Sequence, residues 1–350
     1  MRRFALFLAL VSFGGAATPE PAPLWAYGYA TPPSPADLPP PPGLPWSRKL
    51  VPNENPAEQT RLRRVPGSEA EYSLLDIRDP GNVIDWFPDD HPPMPAMVRH
   101  GPAGRAEGCA DCHLPTGQGR PENAPVAGQS VAYFLRQLED FRSGARTSAD
   151  PRKRNIPVMI AIAKLLSREE MEAAAGYYGA IPWASRTRVV ETEFVPRTQI
   201  KGNLFVAIEK ALTEPIAGRI IEVPENEEQS ETLGNPRSGF IAYVPPGSLQ
   251  RGEVLVTTGG APTVKTIACA TCHGPDLMGA ANSPALVDTP GLAGRSPSYL
   301  VRQLFDLQHG ARRGQFSPLM QPVVANLSVE DMTAIAAYLA SLGPKASRRP

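Results

Sequence analysis

Apolar residues recur with helical spacing in two segments, at Met171, Ala174, Ala175 and Tyr178 and again at Met332, Ile335, Ala336 and Leu339. Side chains three and four apart share one helix face, so each set predicts a helix with a single buried stripe, on which Met171 and Met332 are core fillers. A serine precedes each stripe with an acidic residue three positions on, Ser167 with Glu170 and Ser328 with Asp331. That is the pattern of a capping box, which places the helix starts. Between these segments the pattern changes, and Arg219–Val223 and Gly239–Val244 read as strands. At the start of the chain, Met1-Arg2-Arg3 precedes an apolar run over residues 4–13 and the small residues Gly14 to Ala17. Charged, apolar and small regions in that order predict a secretory signal peptide cleaved near Ala17. The run is too short to cross a bilayer, and no later stretch approaches the roughly 18 to 20 apolar residues a spanning helix needs.

The segment Ala127 to Arg146 reappears as Ala293 to Arg312, at a constant offset of 166 residues. Gly128, Ser130, Tyr133, Arg136, Gln137, Leu138, Asp140 and Gly144 return as Gly294, Ser296, Tyr299, Arg302, Gln303, Leu304, Asp306 and Gly310. A repeat of this quality means one domain type present twice. The expected organisation is a signal peptide (1–17), a Pro-rich arm (18–85), domain 1 (86–184), a connector (185–244), domain 2 (245–344) and a short tail (345–350). The arm holds much of the chain's proline, interleaved with Trp25, Tyr27, Tyr29 and Trp46, and predicts extended or irregular backbone, either packed along a surface or serving as a tether. The connector is too long for an idle linker and predicts a small ordered unit, partly β, that fixes one domain against the other.

Composition narrows the functions. The 350 residues carry 35 Lys+Arg against 35 Asp+Glu, so no net charge attracts nucleic acid or an anionic membrane. Residues 86–184 hold 11 basic and 11 acidic residues and residues 245–344 hold 6 and 6, so docking is expected to be short-range and weakly salt-dependent. The basic run Arg152-Lys153-Arg154 reads as a solvated loop, with an acidic docking partner as the alternative.

Only four cysteines are present, as Cys109-Ala-Asp-Cys112-His113 and Cys269-Ala-Thr-Cys272-His273. A single C-x-x-C could be a thiol redox pair or half a zinc site. Two copies, each followed by histidine, in an exported chain with no spare cysteine, point instead to covalent attachment of c-type haem. On one helical turn, positions i, i+3 and i+4 share a face, so both sulfurs can reach the haem vinyl groups while the histidine lies beneath the iron. Met159 and Met320 stand at matching places in Pro-marked segments before the capped helices, 47 and 48 residues after Cys112 and Cys272. Both are expected in loops.

Both halves resemble class I cytochrome c domains, and the whole chain resembles exported dihaem cytochromes built from two of them. The resemblance rests on the two C-x-x-C-H motifs, on Tyr133, Gln137 and Leu138 with Tyr299, Gln303 and Leu304, and on the methionine-bearing segments. It covers roughly residues 86–184 and 245–344 and implies a mainly α fold of two tandem helical domains carrying two haem c groups. It also implies thioether links at Cys109, Cys112, Cys269 and Cys272, and axial iron ligands His113 with Met159 and His273 with Met320. Methionine with histidine raises the potential, and filled axial positions leave none for oxygen or peroxide. The family orients its proximal histidine with a backbone carbonyl, which Pro290, before Gly291-Leu292-Ala293-Gly294, matches; Pro125 is one residue short of the same pattern. Tyr133, Tyr299, Arg136, Arg302, Arg146 and Arg312 are candidate partners for the haem propionates, with packing or surface roles as the alternative.

The remaining histidines, His91, His100 and His309, are rival iron ligands, with loop or surface positions the expectation. The function expected is one-electron transfer between redox proteins in the periplasm, such as a dehydrogenase, an oxidase or another cytochrome, with no nucleic acid and no membrane span after cleavage. Two alternatives stand beside it. A dihaem peroxidase would need one haem with a displaceable ligand, and a cytochrome subunit of a larger dehydrogenase or oxidase complex would use the arm and connector as interaction surfaces.

Overall fold

The computed structural model describes residues 21–34, 54–102, 106–279 and 289–344; the expected signal peptide and the tail 345–350 lie outside these. Five helices build domain 1: α1 (Ala96–His100), α2 (Cys109–His113), α3 (Val131–Ser143), α4 (Asn155–Leu165) and α5 (Arg168–Ala180). Domain 2 repeats the order with α6 (Ser248–Thr258), α7 (Ala270–His273), α8 (Pro297–Gln308) and α9 (Val329–Ser341). No single helix among the described residues is long and apolar enough to cross a membrane.

The two capped helices start where the serine signals put them. Ser167 and Ser328 accept from the backbone N–H of Glu170 and Asp331, whose carboxylates accept in return from the cap N–H groups. The predicted stripes face inward: Met171, Ala174, Ala175 and Tyr178 are buried in domain 1, and Met332, Ile335, Ala336 and Leu339 in domain 2. Helix α6 crosses α9 so closely that a Cβ on Gly252 would collide with the Ala334 carbonyl, so the backbone approach requires glycine there.

The caps differ in what surrounds them. Asp331 also accepts from Arg251 Nη2 at 2.6 Å and from Lys265 Nζ at 2.9 Å. Burial pushes its carboxyl up, but these cations outweigh it and bring the pKa down to about 2. A depressed carboxylate contributes stability above its ordinary pKa that is lost as pH falls through the folded value. Asp331→Asn is therefore expected to cost about 2 kcal/mol at pH 7, the deficit fading between about pH 4 and pH 2. Glu170→Gln, at the matching cap, is expected to cost under about 1 kcal/mol. Chemical denaturation of the haem-loaded variants at pH 7 and pH 3 checks both, and equal losses at the two caps would refute the difference.

The connector is ordered, with strands β1 (Thr187–Glu191), β2 (Phe194–Lys201), β3 (Leu204–Pro215), β4 (Ile221–Pro224) and β5 (Phe240–Val244). Strand β5 lies between a parallel β1 and an antiparallel β4, while β2 and β3 form a separate hairpin. Ile220, Ala242 and Val244 join the domain 2 core, which anchors the connector there.

The expectation of irregular backbone through the arm is corrected where the arm is described. Leu24–Tyr27 forms a helical turn, and Ala26 and Tyr27 are fully buried in the domain 2 core. Tyr27 donates to Asp306 Oδ1 at 2.7 Å and meets Phe305 edge to face. Aromatic burial holds this stretch where its prolines would otherwise leave it solvated. Nearer domain 1, Val65, Ile84, Trp86 and Phe87 cluster with Leu233 of the connector.

Candidate functional site

Each C-x-x-C-H motif occupies a helical turn that opens onto a cavity. The first cavity, about 380 Å³, is lined by Cys109, Cys112, His113 and Met159. The second, about 590 Å³, is lined by Cys269, Cys272, His273 and Met320. Apolar side chains dominate the walls, Phe134, Phe141 and Ile162 in one and Leu300, Ile335 and Leu339 in the other. Burial pushes the Cys109 thiol up to about 12 and the Cys269 thiol up to about 11. A thiol redox pair needs an easily formed thiolate, so these environments do not suit one. Nor is there, among the described residues, a group of three or more His, Cys, Asp or Glu side chains able to hold a metal ion.

Both motif histidines are fixed in the same way. Nδ1 of His113 donates to the Ala124 carbonyl at 2.8 Å, and Nδ1 of His273 donates to the Pro290 carbonyl at 2.8 Å. A carbonyl can only accept, so the proton sits on Nδ1 and the Nε2 lone pair is free to bind iron. Burial holds both imidazoles below the ordinary value, which keeps them neutral. In domain 1 the acceptor is Ala124, the residue before Pro125. The signal was present, because the repeat offset of 166 carries Pro290 back onto Ala124.

The expectation that both methionines lie in loops is corrected. Met159 is within α4, and Met320 ends the 3-10 turn Ser317–Met320. Pro157 and Pro318 sit in the first turns of these elements, where the missing N–H has no helical partner to lose, so proline starts the helix here instead of breaking it.

The two cavities share a wall formed by Gln129, Tyr133, Gln137, Tyr299 and Gln303. Arg146 donates to Gln137 Oε1 at 2.8 Å and across the repeat boundary to Gln303 Oε1 at 2.9 Å; Arg312 donates to Gln303 Oε1 at 3.1 Å and across to Gln137 Oε1 at 2.9 Å. Arg146 also reaches the Tyr299 hydroxyl at 3.3 Å, and the backbones of Arg146 and Arg312 pair antiparallel. Repeat-related residues thus meet each other, as a local twofold requires. Burial raises the Tyr299 pKa, but Arg146 and Arg312 outweigh it and bring the hydroxyl below its ordinary value.

The six propionate candidates do not all serve their own domain. Arg146 lines the first cavity and Arg312 the second, but Arg136 lines the second and Arg302 the first, and both tyrosines line both. Arg302 donates to the carbonyls of Ala26 and Pro121, tying the arm and a domain 1 loop to domain 2.

A further crossed pair escaped sequence reading. Gln129 accepts from Gly291 N–H at 3.1 Å, while the repeat-related Arg295 donates to the carbonyls of Pro125 and Ala127 at 3.1 and 2.9 Å. In the sequence the pair stands only as one of several unlike matches within the repeat, Gln129 against Arg295. Arg152 and Lys153 are buried, which corrects the reading of their run as a solvated loop. Arg152 is held by Asp150 at 2.7 Å and stacks on Tyr29. None of His91, His100 and His309 lines either cavity; they contact Asp85, the Gly81 carbonyl and the Phe305 carbonyl.

Residues 251–343 match the cytochrome c family. The chain is 40% identical over 73 residues to cytochrome c-554(548) of Halomonas halodenitrificans, covering 21% of this chain and 82% of that protein. It is 26% identical over 242 residues to cytochrome c4 of Azotobacter vinelandii, covering 68% and 86%. It is 44% identical over 91 residues to the thiosulfate dehydrogenase electron acceptor of Stutzerimonas stutzeri, a match over 26% of this chain and 38% of that relative's length. The chain belongs to the cytochrome c family. It is a dihaem class I c-type cytochrome, an electron-transfer protein with two covalently bound haem c groups and a mainly α fold.

Proposed function

We propose that this cytochrome is a carrier with no substrate chemistry of its own, working in the periplasm between a dehydrogenase and a downstream acceptor. The haem irons supply the one-electron ferric/ferrous couple. Cys109 and Cys112 attach one haem and Cys269 and Cys272 the other. His113 with Met159 and His273 with Met320 would hold the two irons, and a neutral thioether favours ferrous iron. The observation that carries this reading is the shared wall of Gln129, Tyr133, Gln137, Tyr299 and Gln303, which makes the two cavities neighbours and gives an electron a path through one chain. The basic leader and apolar run ahead of Ala17 support export. The likeness to a thiosulfate dehydrogenase electron acceptor supports a dehydrogenase of that kind as the donor.

The test is the optical spectrum of the haem-loaded, oxidised protein before and after peroxide, and of the reduced protein with carbon monoxide. Two haems with the long-wavelength iron–sulfur band and no response to either reagent are expected. Carbon monoxide binding at one haem would overturn the methionine assignment there, and turnover of peroxide would favour the peroxidase reading over the carrier. Mixing the oxidised protein with thiosulfate dehydrogenase and thiosulfate is expected to reduce both haems, and no reduction would remove that donor.

A further inference from the structure

The two repeats differ most beside the first cavity. Between Arg146 and Pro157 domain 1 has five more residues than domain 2 has between Arg312 and Pro318, and the extra segment carries Lys153. Lys153 is 3% exposed and lines the first cavity, and among the described residues its Nζ is buried without a hydrogen-bond partner. Ser148 Oγ, on the same wall, is likewise buried and without a partner. Leaving a lysine ammonium buried and unpaired is costly, and the amine is held well below its ordinary value by burial and by repulsion from Arg302.

The position is nonetheless built. Arg152, the preceding residue, is locked by Asp150, donates to the Thr31 carbonyl at 2.8 Å and accepts at its own carbonyl from the Tyr29 hydroxyl at 2.5 Å. The arm therefore clamps the segment that places Lys153 on the cavity wall. The nearby Glu122 carboxylate pairs with Arg120 at 3.8 Å and makes no ion pair with Lys153, so it does not supply the missing partner. At the second cavity Arg312 and both terminal nitrogens of Arg295 already donate to protein acceptors, and the Arg295 guanidinium stacks on Trp183 with only its Nε unpartnered.

We propose that Lys153 Nζ, with Ser148 Oγ, binds a carboxylate of the haem attached through Cys109 and Cys112, a counter-charge that the shorter segment of domain 2 does not give the other haem. Haem supplies the anion that this wall calls for, because its propionates are its only carboxylates. A cation held beside the porphyrin opposes the extra positive charge of ferric iron, so it raises the potential of that haem alone. The two haems are thereby made unequal by an insertion, although their motifs and histidine acceptors match. The inference rests on the first haem lying in the cavity around His113, which the haem content and spectrum of the unaltered protein test separately.

The experiment is an optical redox titration of the intact dihaem protein, comparing wild type with Lys153→Met, Lys153→Arg and Ser148→Ala. The titration resolves two one-electron steps. Lys153→Met is expected to move one step to lower potential and leave the other in place, with two haems retained and the iron–sulfur band unchanged. Lys153→Arg is expected to restore most of the shift, and Ser148→Ala to give a smaller shift of the same step. If neither step moves, or both move equally, Lys153 is not a local counter-charge. Loss of the iron–sulfur band, or a new axial-ligand spectrum in Lys153→Met, would mean that the side chain acts on the iron instead and would overturn the proposal. Should Lys153→Met fail to fold, Ser148→Ala decides: it is expected to lower one step only, and no shift, or an equal shift of both steps, would refute the proposal.

Discussion

Replacing Met320 by alanine is expected to lower the reduction potential of the haem attached through Cys269 and Cys272 by on the order of 100 mV, a fraction of the roughly 0.8 V that axial ligands span across haem proteins. A thioether donates weakly and favours the less charged ferrous ion, so its loss stabilises ferric iron. The side chain is half-buried on the cavity wall, at the end of the turn Ser317–Met320. Alanine leaves the fold its anchors, because Val324, Leu327 and Met332 beyond it are buried independently of Met320. The iron is left with an open position, and the ferrous protein is expected to bind carbon monoxide at one haem only. Met159→Ala should reproduce the result at the other haem from within α4. Spectroelectrochemical titration with and without carbon monoxide checks both variants. An unchanged potential with no carbon monoxide binding would dismiss the ligand assignment for the methionine concerned.

The second large effect concerns how the connector is docked. Glu222, on β4, is 1% exposed and accepts from Ser296 Oγ at 2.8 Å and from Ser298 N–H at 3.4 Å, at the start of α8. Burial dominates these hydrogen bonds and the pull of Arg302, and raises its pKa from 4.5 to about 7. Below the unfolded value both states hold the proton and no penalty arises. Between 4.5 and about 7 the unfolded chain ionises first, so stability falls as pH rises, and the penalty levels off above about pH 7. A raised pKa of this size corresponds to about 3 kcal/mol. Glu222→Gln keeps the acceptor oxygen for both serines and removes the ionisation. It is expected to stabilise the protein by about 3 kcal/mol at pH 8 and by about 0.8 kcal/mol at pH 5. Urea unfolding at the two pH values checks this, and an equal change at both would show that Glu222 does not titrate on folding.

Much of the site was legible in the residues. The C-x-x-C-H motifs are local in sequence, and a helical turn alone brings both sulfurs and the histidine to one side. The capped helices were equally plain, since Ser167 with Glu170 and Ser328 with Asp331 act within one turn and the apolar stripe needs only helical periodicity. Proline misled the reading twice. Pro157 and Pro318 read as loop markers, but a proline in the first turn initiates a helix, and residue type points to Pro125 where repeat position points to Ala124. The arm's aromatic residues were noticed, yet whether Tyr27 packed or trailed in solvent depended on Asp306 and Phe305, almost 280 residues away.

From its residues alone this chain is determined as two copies of one helical haem-binding unit, because covalent attachment, capping and periodicity are properties of short windows. Only the tertiary structure decided that the cavities of the two copies share a wall. It brought Arg146 to Gln303 and Arg312 to Gln137, placed Arg136 and Arg302 beside each other's cavities, and buried Lys153. The physical reason is that a polar side chain has the same local signature whether it is solvated or buried. Its role is set by which distant donors, acceptors and apolar surfaces the fold brings within hydrogen-bond reach.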